Sequence, residues 1–328
     1  MLFYCFYIVS FIIWFMELDM KIVFLGNFSV DYSSENHHAK TLESLDHQVI
    51  KLQESVVTGQ EVLKQSLMAD LLIVVHTHGW NTPGLTLSEV LRQLKGKVTT
   101  ITYHLDLWLG LERQKDLETD DFYKLIDYFF CTDKLMADWF NTNTQVKGIF
   151  LPAGVFHEEV YMMDLPKTND VIFVGSKGYH HEWPWRPQLI DWLSQTYGDR
   201  FKHYGNDGLG VVRGHELNKL YASTKIAVGD TLCLNFNYSY YLSDRVFETT
   251  GRGGFLLMPY IKGIEDLFVI GKEIVTFKFG DFDDLKSKID YYLEHDDERE
   301  SIRLAGFERT KKDHTYRQRW IKILETIK

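Results

Sequence analysis

The segment SDRVFETTGRGG, residues 243–254, places charged side chains and glycines at a spacing that suits phosphate and diol binding. Asp244 or the serine before it can cap a helix, which puts Arg245 in the first turn, where exposed N–H groups favour anions. An arginine there adds a bidentate contact to phosphate. Glu248 follows on the same helix face and can accept hydrogen bonds from a diol, and Gly253 allows a tight turn near a ligand. The alternative is a capped helix with a surface Arg–Glu pair.

A second candidate group, Gly175, Ser176 and Lys177, directly follows the apolar run VIFV. Small residues expose backbone N–H groups, and the lysine adds a positive charge, which together suit a pyrophosphate. The pattern is neither a P-loop nor a GxGxxG, so an ordinary turn is the alternative.

The N-terminal half contains further polar side chains at the ends of predicted strands. His104 ends the run VTTITYH and Asp106 follows it, so that both can face a cleft and are candidate catalytic residues, although a buried, hydrogen-bonded histidine is the alternative. Gly26 and Asn27 follow the first strand and, with His78, are assigned to an acceptor side. His76 and His78 lie two residues apart at a strand end, where they share a face and could suit a metal, but no third ligand is evident, so no metal is expected.

Three other segments allow two interpretations each. Residues 179–186, YHHEWPWR, either contact a ligand or form a loop packed by its own tryptophans. His37 and His38 lie on a polar predicted helix and are expected to face solvent. Asp281 and Asp283 form a DxD pattern, but they follow Gly280 and open a predicted helix, so helix capping is expected.

Apolar runs of strand length alternate with helical segments along the chain, which predicts an α/β protein of two Rossmann-like domains that face a cleft. The predicted boundaries are an apolar extension at 1–19, an N-terminal acceptor domain at 20–155 and a C-terminal domain at 156–314. A last helix at 315–328 is predicted to cross back to the N-terminal domain. Ligands of such sheets bind at the C-terminal ends of the strands.

Composition limits the functional classes. The chain has 328 residues, 45% of them hydrophobic, and a formal charge of −10, which is ordinary for a globular protein and unsuited to duplex DNA. Its three cysteines are far apart, which favours a reducing, cytoplasmic location without structural zinc. Residues 1–16 carry no charged side chain; they are either an upstream start before Met20 or a peripheral membrane contact.

From Val171 to about His314 the chain resembles the C-terminal domain of group 1 GT-B glycosyltransferases, in particular the spore-maturation-protein-like branch. The resemblance rests on VIFVGSKG, ELNKLYASTKIAVGD, SDRVFETTGRGGFLLMPYIKGIEDLF and TFKFGDFDDLKSKIDYYLEHDDERESIRLAG. It implies a nucleotide-sugar donor, such as a UDP-sugar or GDP-sugar, held mainly by the C-terminal domain without a cofactor.

The resemblance also assigns residues. Glu248 matches the second glutamate of an E-x7-E pattern and binds the ribose, whereas Tyr240 stands where the first glutamate is expected. Arg245 and Lys177 neutralise the diphosphate in place of a metal, and Arg213 lies in the region that holds the base. His104 resembles a histidine near the transferred sugar.

The implied reaction is hexosyl transfer with retention to a glycan, a lipid-linked molecule or a small molecule. A nucleotide-sugar 2-epimerase and a non-catalytic nucleotide-sugar-binding protein are the alternatives.

Overall fold

The computed structural model describes residues 19–75 and 82–328. The apolar segment 1–16, His76 and His78 therefore lie outside the described residues, and so does Cys5. Cys131 and Cys233 are buried and not disulfide-bonded. No helix in the described part of the chain combines the length and apolar composition needed to cross a bilayer.

The N-terminal domain is built on a parallel six-stranded sheet of order β2-β1-β3-β4-β5-β6. Its strands are Lys21–Gly26 (β1), Gln48–Gln53 (β2), Leu71–Val74 (β3), Thr99–His104 (β4), Tyr128–Cys131 (β5) and Lys147–Phe150 (β6). Its helices are Ser34–Glu43 (α1), Gly59–Ser66 (α2), Leu87–Leu94 (α3), Gln114–Thr119 (α4), Phe122–Leu125 (α5) and Lys134–Asn143 (α6). The sequence did not predict β6, because its KGIF segment has only two large apolar side chains.

The C-terminal domain has a parallel five-stranded sheet of order β11-β10-β9-β7-β8. Its strands are Asn169–Val174 (β7), Phe201–Tyr204 (β8), Thr224–Val228 (β9), Leu256–Pro259 (β10) and Val275–Phe277 (β11). The helices that follow are Trp185–Tyr197 (α7), Gly214–Ala222 (α8), Arg245–Gly251 (α9), Phe282–Glu294 (α10), Asp296–Asp313 (α11) and Tyr316–Ile327 (α12). The central strands are buried on both faces, which explains their continuous apolar sequences.

The DxD pattern caps a helix, as predicted. The Asp281 side chain accepts a hydrogen bond from the backbone N–H of Asp284 at 3.0 Å, at the start of α10. This satisfies one of the otherwise unpaired N–H groups of the first turn.

Helix α12 packs on the N-terminal domain. Trp320 is fully buried, and its indole N–H donates to Nδ1 of His38 on α1 at 3.1 Å. The Arg319 Nε–H donates to the carbonyls of Pro152 and Ala153 at 2.6 and 3.0 Å. The last helix therefore returns from the C-terminal domain to the N-terminal domain, and its hydrogen bonds hold the segment that connects the two sheets.

A second contact joins the domains at the end of β5. Asp133 is fully buried and accepts a hydrogen bond of 2.7 Å from the hydroxyl of Tyr238 in the C-terminal domain. The backbone N–H of Lys134 donates to the carbonyl of Tyr240 at 3.3 Å, and Tyr240 adopts a left-handed conformation with φ of 57°. Tyr240 packs against Gly263 and does not line the cavity between the domains.

Candidate functional site

A cavity of about 590 Å³ lies between the two domains. The loops after β1, β3 and β4 line one side, and the loops after β7 and β9 and the start of α9 line the other. This is the position where open parallel sheets bind ligands, at the C-terminal ends of their strands.

Arg245 supplies a positive charge on the C-terminal side of the cavity. A Cβ added to Gly175 would lie 2.6 Å from Arg245 Nη2, so the absence of a side chain at Gly175 makes room for the guanidinium. The guanidinium also lies 5.7 Å from the Phe173 ring, and Nη1 is 3.5 Å from the carbonyl of Asp230. Gly175 and Ser176 line the cavity beside it. The loop and the arginine thus form one anion-binding surface.

A buried ion pair supports this surface from behind. Arg186 Nε donates to the Asp230 carboxylate at 2.7 Å, and both side chains are almost completely buried. The Trp183 indole N–H donates to the same carboxylate at 3.1 Å. The Arg186 guanidinium lies 4.3 Å from the ring of Tyr179, which lines the cavity. This network fixes the loop that follows β7, because the Asp230 carboxylate accepts hydrogen bonds from both Arg186 and Trp183.

Glu248 and Arg252 lie one turn apart on α9 and both line the cavity. Arg252 is buried and donates to Glu159 and to the Asn218 side chain, the latter at 2.6 Å. Its Nη2 is 3.9 Å from the Glu248 carboxylate, which is about one-third exposed. Arg252 is therefore a partner of protein carboxylates, and Glu248 stays accessible from the cavity.

Two aspartates from different domains also line the cavity. Asp106 follows β4, and Asp244 precedes α9. Burial, and then the negative charge of Glu248, raises the pKa of Asp244 to about 6. Asp244 makes no side-chain capping hydrogen bond to α9, although its carboxylate interacts with the backbone N–H of Arg245. The structure thus brings together two carboxylates whose proximity is not evident from the sequence.

Besides the carboxylates Glu35 and Asp106, the N-terminal side of the cavity is lined by neutral polar and aromatic groups, among them His37, His38, Tyr103 and Ser33. The expectation that His37 and His38 face solvent is wrong, because α12 and the start of the C-terminal domain cover α1. Burial lowers the pKa of His37 to about 4 and that of His38 to about 3, so both rings are neutral at pH 7.

The structure places Lys177 away from the cavity, which corrects the expectation that it faces a diphosphate. Its ammonium group bonds Asp191 on α7. The backbone N–H groups of Lys177 and Gly178 donate to the Asp207 carboxylate, each at 3.0 Å. The donors expected to hold a pyrophosphate are therefore occupied by a protein carboxylate.

His104 and Gly253 are also placed differently from the sequence-based expectation. His104 is 1% exposed, packs against Trp108 and Phe129, and does not line the cavity. Gly253 turns the chain beyond α9, where a Cβ would meet Met162 at 2.8 Å, and it does not line the cavity either. Neither residue has the access to a ligand that its assignment requires.

The remaining predicted residues divide between lining and support. Asn27 and Arg213 line the cavity, as do Gly175, Ser176, Asp106, Arg245 and Glu248. Gly26 is buried beneath Glu35, whose Cγ would lie 2.9 Å from an added Cβ, so it positions the loop without lining the cavity. Among the described residues, one set of side chains has metal-ligand spacing, His180, His181 and Glu182, and it lies outside the lining of this cavity.

Comparison with known proteins is consistent with this architecture. Residues 186–325 match the family model described as "Glycosyl transferase-like". HepE of Anabaena, solved with UDP and glucose, superposes with a TM-score of 0.66 at 11% identity and covers 94% of this chain and 100% of that chain. An alpha-glucosyltransferase solved with UDP-glucose and DNA superposes with a TM-score of 0.67 at 12% identity, covering 94% and 99% of the two chains.

A third structure has the same layout. Sucrose-phosphate synthase of Thermosynechococcus elongatus superposes with a TM-score of 0.61 at 10% identity, again over 94% of this chain and 99% of that chain. The chain has the GT-B fold of glycosyltransferases. No curated protein sequence matches it.

The GT-B fold predicted from the sequence is thus confirmed, and the match to the glycosyltransferase-like family model lies within the C-terminal domain and α12. Sequence reasoning missed Glu159, Asp244 and Arg252 as lining residues. Asp244 and Arg252 lie inside the segment that carried the strongest signal, so their charge was available as a clue. Glu159 had no such signal, because it comes from the connection between the domains.

Proposed function

We propose that this GT-B protein transfers a sugar from a UDP-sugar to a hydroxyl group of an uncharged acceptor. The observation that carries the proposal is the Arg245 guanidinium against Gly175, with Glu248 on the same face of α9 and both side chains lining the cavity. In this arrangement Arg245 contacts the diphosphate and Glu248 accepts from the ribose hydroxyls. The solved complexes of similar fold contain UDP or UDP-glucose, which supports uridine as the base.

The reaction breaks the bond between the anomeric carbon and the diphosphate oxygen and forms one to the acceptor oxygen. The acceptor hydroxyl loses its proton, and the leaving diphosphate gains negative charge. Arg245 stabilises that charge as it develops, which is the role a metal ion has in other transferases. We therefore propose metal-independent transfer, tested by activity that persists in excess chelator.

The acceptor side of the cavity supports an uncharged acceptor. The lining residues described for the N-terminal domain include Asn27, Ser33 and Tyr103 but neither lysine nor arginine. A polyanionic acceptor would require cationic groups near its phosphates, and the chain carries a formal charge of −10. Hydroxyl, amide and neutral imidazole groups instead suit the hydroxyls of a glycan or small polyol.

Donor binding tests the assignment directly. We expect Arg245→Ala to weaken UDP binding about 10- to 100-fold, because charge-assisted hydrogen bonds contribute about 1.5–3 kcal/mol. Glu248→Gln is expected to weaken it about tenfold. Isothermal titration calorimetry with UDP measures both, and Glu216→Gln, an exposed carboxylate paired with Lys219 on α8, is the matched control. Unchanged affinity in Arg245→Ala would show that the donor site is elsewhere.

Product analysis then separates the remaining alternatives. A transferase gives a glycosylated acceptor, whereas an epimerase converts the nucleotide sugar without acceptor, and the Asp106–Asp244 pair is the feature that would serve such an epimerase. Binding of UDP-sugars with neither product would indicate a non-catalytic protein. Retention of the anomeric configuration and the spore-maturation-protein-like branch stay predictions, the first tested by NMR of the product.

A further inference from the structure

Four side chains with metal-ligand chemistry meet at the edge of the two domains, outside the cavity lining. Glu112 comes from the loop between β4 and α4, and His180, His181 and Glu182 come from the loop between β7 and α7. The ligand atoms of the last three residues all lie within 4.8 Å of one another. The fourth is adjacent, since His181 Nε2 is 3.6 Å from the Glu112 carboxylate.

The spacing is close to what a tetrahedral zinc site requires. His180 Nδ1 lies 3.9 Å from the Glu182 carboxylate, and His181 Nε2 lies 4.0 Å from it. Bonds of about 2.0–2.2 Å in a tetrahedron place neighbouring ligand atoms about 3.3–3.6 Å apart. A movement of about 1 Å within flexible side chains therefore completes the geometry, because the ligand atoms of His180, His181 and Glu182 already lie within 4.8 Å of one another. The 3.3 Å contact between the Glu182 backbone N–H and His180 Nδ1 is then lost.

The loop that carries the cluster is held in place by the protein. The Glu112 backbone N–H donates to the Glu182 carboxylate at 3.1 Å, across the two domains. The His180 and His181 rings are stacked with centroids 5.2 Å apart. The backbone N–H of Trp183 donates to the carbonyl of His180 at 3.0 Å. Trp183 itself is buried and bonded to Asp230, so the turn is anchored in the core of the C-terminal domain.

Charge and access also favour a cation. Two carboxylates and two imidazoles give a donor set that balances a divalent ion and matches the ligand preference of zinc. The His181 and Glu112 side chains are 72% and 75% exposed, so an ion can enter from solvent.

We propose that Glu112, His180, His181 and Glu182 bind one divalent transition-metal ion, with zinc the best chemical fit, and that this ion ties the two domains together at one end of the cleft. The loop that holds three of the ligands also carries Tyr179, which lines the cavity. Occupancy of the site thus restrains the loop that contacts the donor. The ion has no part in the bond-breaking step of the proposed transfer.

Zinc binding to the chelator-treated full chain tests the proposal. Competition with a fluorescent zinc indicator is expected to give one ion per chain, and His181→Ala or Glu182→Gln is expected to weaken binding at least tenfold. His295→Ala is the matched control, because this exposed histidine on the C-terminal side of α10 bonds only the Tyr291 carbonyl among the described contacts and stacks on its ring. Equal zinc affinity in the wild type and in His181→Ala would overturn the site.

Hydrogen exchange tests separately whether the metal ion links the two domains. Glu112→Gln keeps three ligands, so we expect weaker zinc binding and loss of zinc-dependent protection from hydrogen exchange in residues 107–113. Zinc binding at full strength without any change in that exchange would overturn the interdomain role. Neither measurement includes UDP, so a negative result for zinc does not contradict the proposed transferase function. In the same way, a lack of UDP binding does not contradict the metal site.

Discussion

The charges inside the cavity are divided between a few residues with distinct tasks. Arg252 is committed to Glu159 and Asn218, whereas Arg245 has an aromatic ring, a carbonyl and a glycine as neighbours. Within the part of the chain that the structure describes, Arg245 forms no ion pair, so none has to break when a phosphate binds. This comparison supports the proposed role of Arg245 in donor binding.

Asp244 is expected to control the pH dependence of activity. Burial raises its pKa to about 6, and only the ionised carboxylate can accept hydrogen bonds on all its lone pairs from a sugar. We expect kcat/KM for the donor to rise between pH 5 and pH 7 in the wild type, and Asp244→Asn to lose this rise. A pH–rate profile measures it, with the exposed Asp199→Asn as control. A variant that keeps the rise would assign it to another group.

Asp244 is also expected to make the free energy of unfolding depend on pH. The pKa of Asp244 in the folded protein lies above its ordinary value of 3.8, so the folded state holds the proton more tightly. Its contribution to the free energy of unfolding is therefore complete below about pH 4 and is lost as the pH rises through about 6. Urea titrations at several pH values measure this effect. The free energy of unfolding of the wild type, relative to that of Asp244→Asn, is expected to fall as the pH rises from about 4 to above 6.

The elements position the site through loops at the ends of strands. The loop after β7 places Gly175 under Arg245 of α9, and the Arg186–Asp230 pair connects the start of α7 with the loop after β9. Residues far apart in sequence are adjacent here, because the C-terminal ends of β7 and β9 are neighbours in the sheet. The anion-binding surface thus depends on the order of the strands, because β7 and β9 must be neighbours for their loops to meet.

Gly175→Ala tests this arrangement. The added Cβ would collide with the guanidinium at 2.6 Å and would sit at φ of 141°, so Arg245 must move. We expect UDP affinity to fall at least tenfold, with a stability loss of about 1–3 kcal/mol from backbone strain. Gly271→Ala is the matched control, since its φ is 78° and no atom lies within 4 Å of the added Cβ. Equal UDP affinity in wild type and Gly175→Ala would contradict the assignment.

At the scale of the whole molecule, α12 completes the N-terminal domain with residues from the end of the chain. Tyr316, Trp320, Ile323 and Leu324 join the apolar cluster formed by α1 and the N-terminal sheet. The helix also places Tyr316 in the cavity and covers His38. The N-terminal side of the cavity therefore combines residues of α1 with residues of α12, which are far apart in the sequence.

Trp320→Ala is expected to destabilise the protein by about 3–5 kcal/mol, because it removes a fully buried side chain and leaves a cavity. The loss also leaves His38 Nδ1 without the 3.1 Å hydrogen bond from the indole. Urea unfolding measures the change. Lys322→Ala, an exposed position on the same helix, is expected to stay within about 0.5 kcal/mol of wild type. A small effect of Trp320→Ala would mean that α12 does not hold the domain.

Patterns along the chain were sufficient to predict most of the strands and helices, with β6 an exception. Buried parallel strands are apolar on both faces, so runs such as VIFV and LLIV can be predicted as strands from the local sequence alone. The capping role of Asp281 and the helix position of Arg245 and Glu248 were equally local, because hydrogen bonds and helix faces depend on residues three or four positions apart.

Assignment of side chains to the cavity needed the tertiary structure. The sequence alone determined two α/β domains, the GT-B resemblance and the Arg245–Glu248 face. The tertiary structure decided that Lys177 pairs with Asp191, that His104 is buried, and that Glu159, Asp244 and the α1 histidines line the cleft. The physical reason is that local hydrogen bonding fixes helices and strands, whereas the direction and partner of a charged side chain depend on contacts between distant segments.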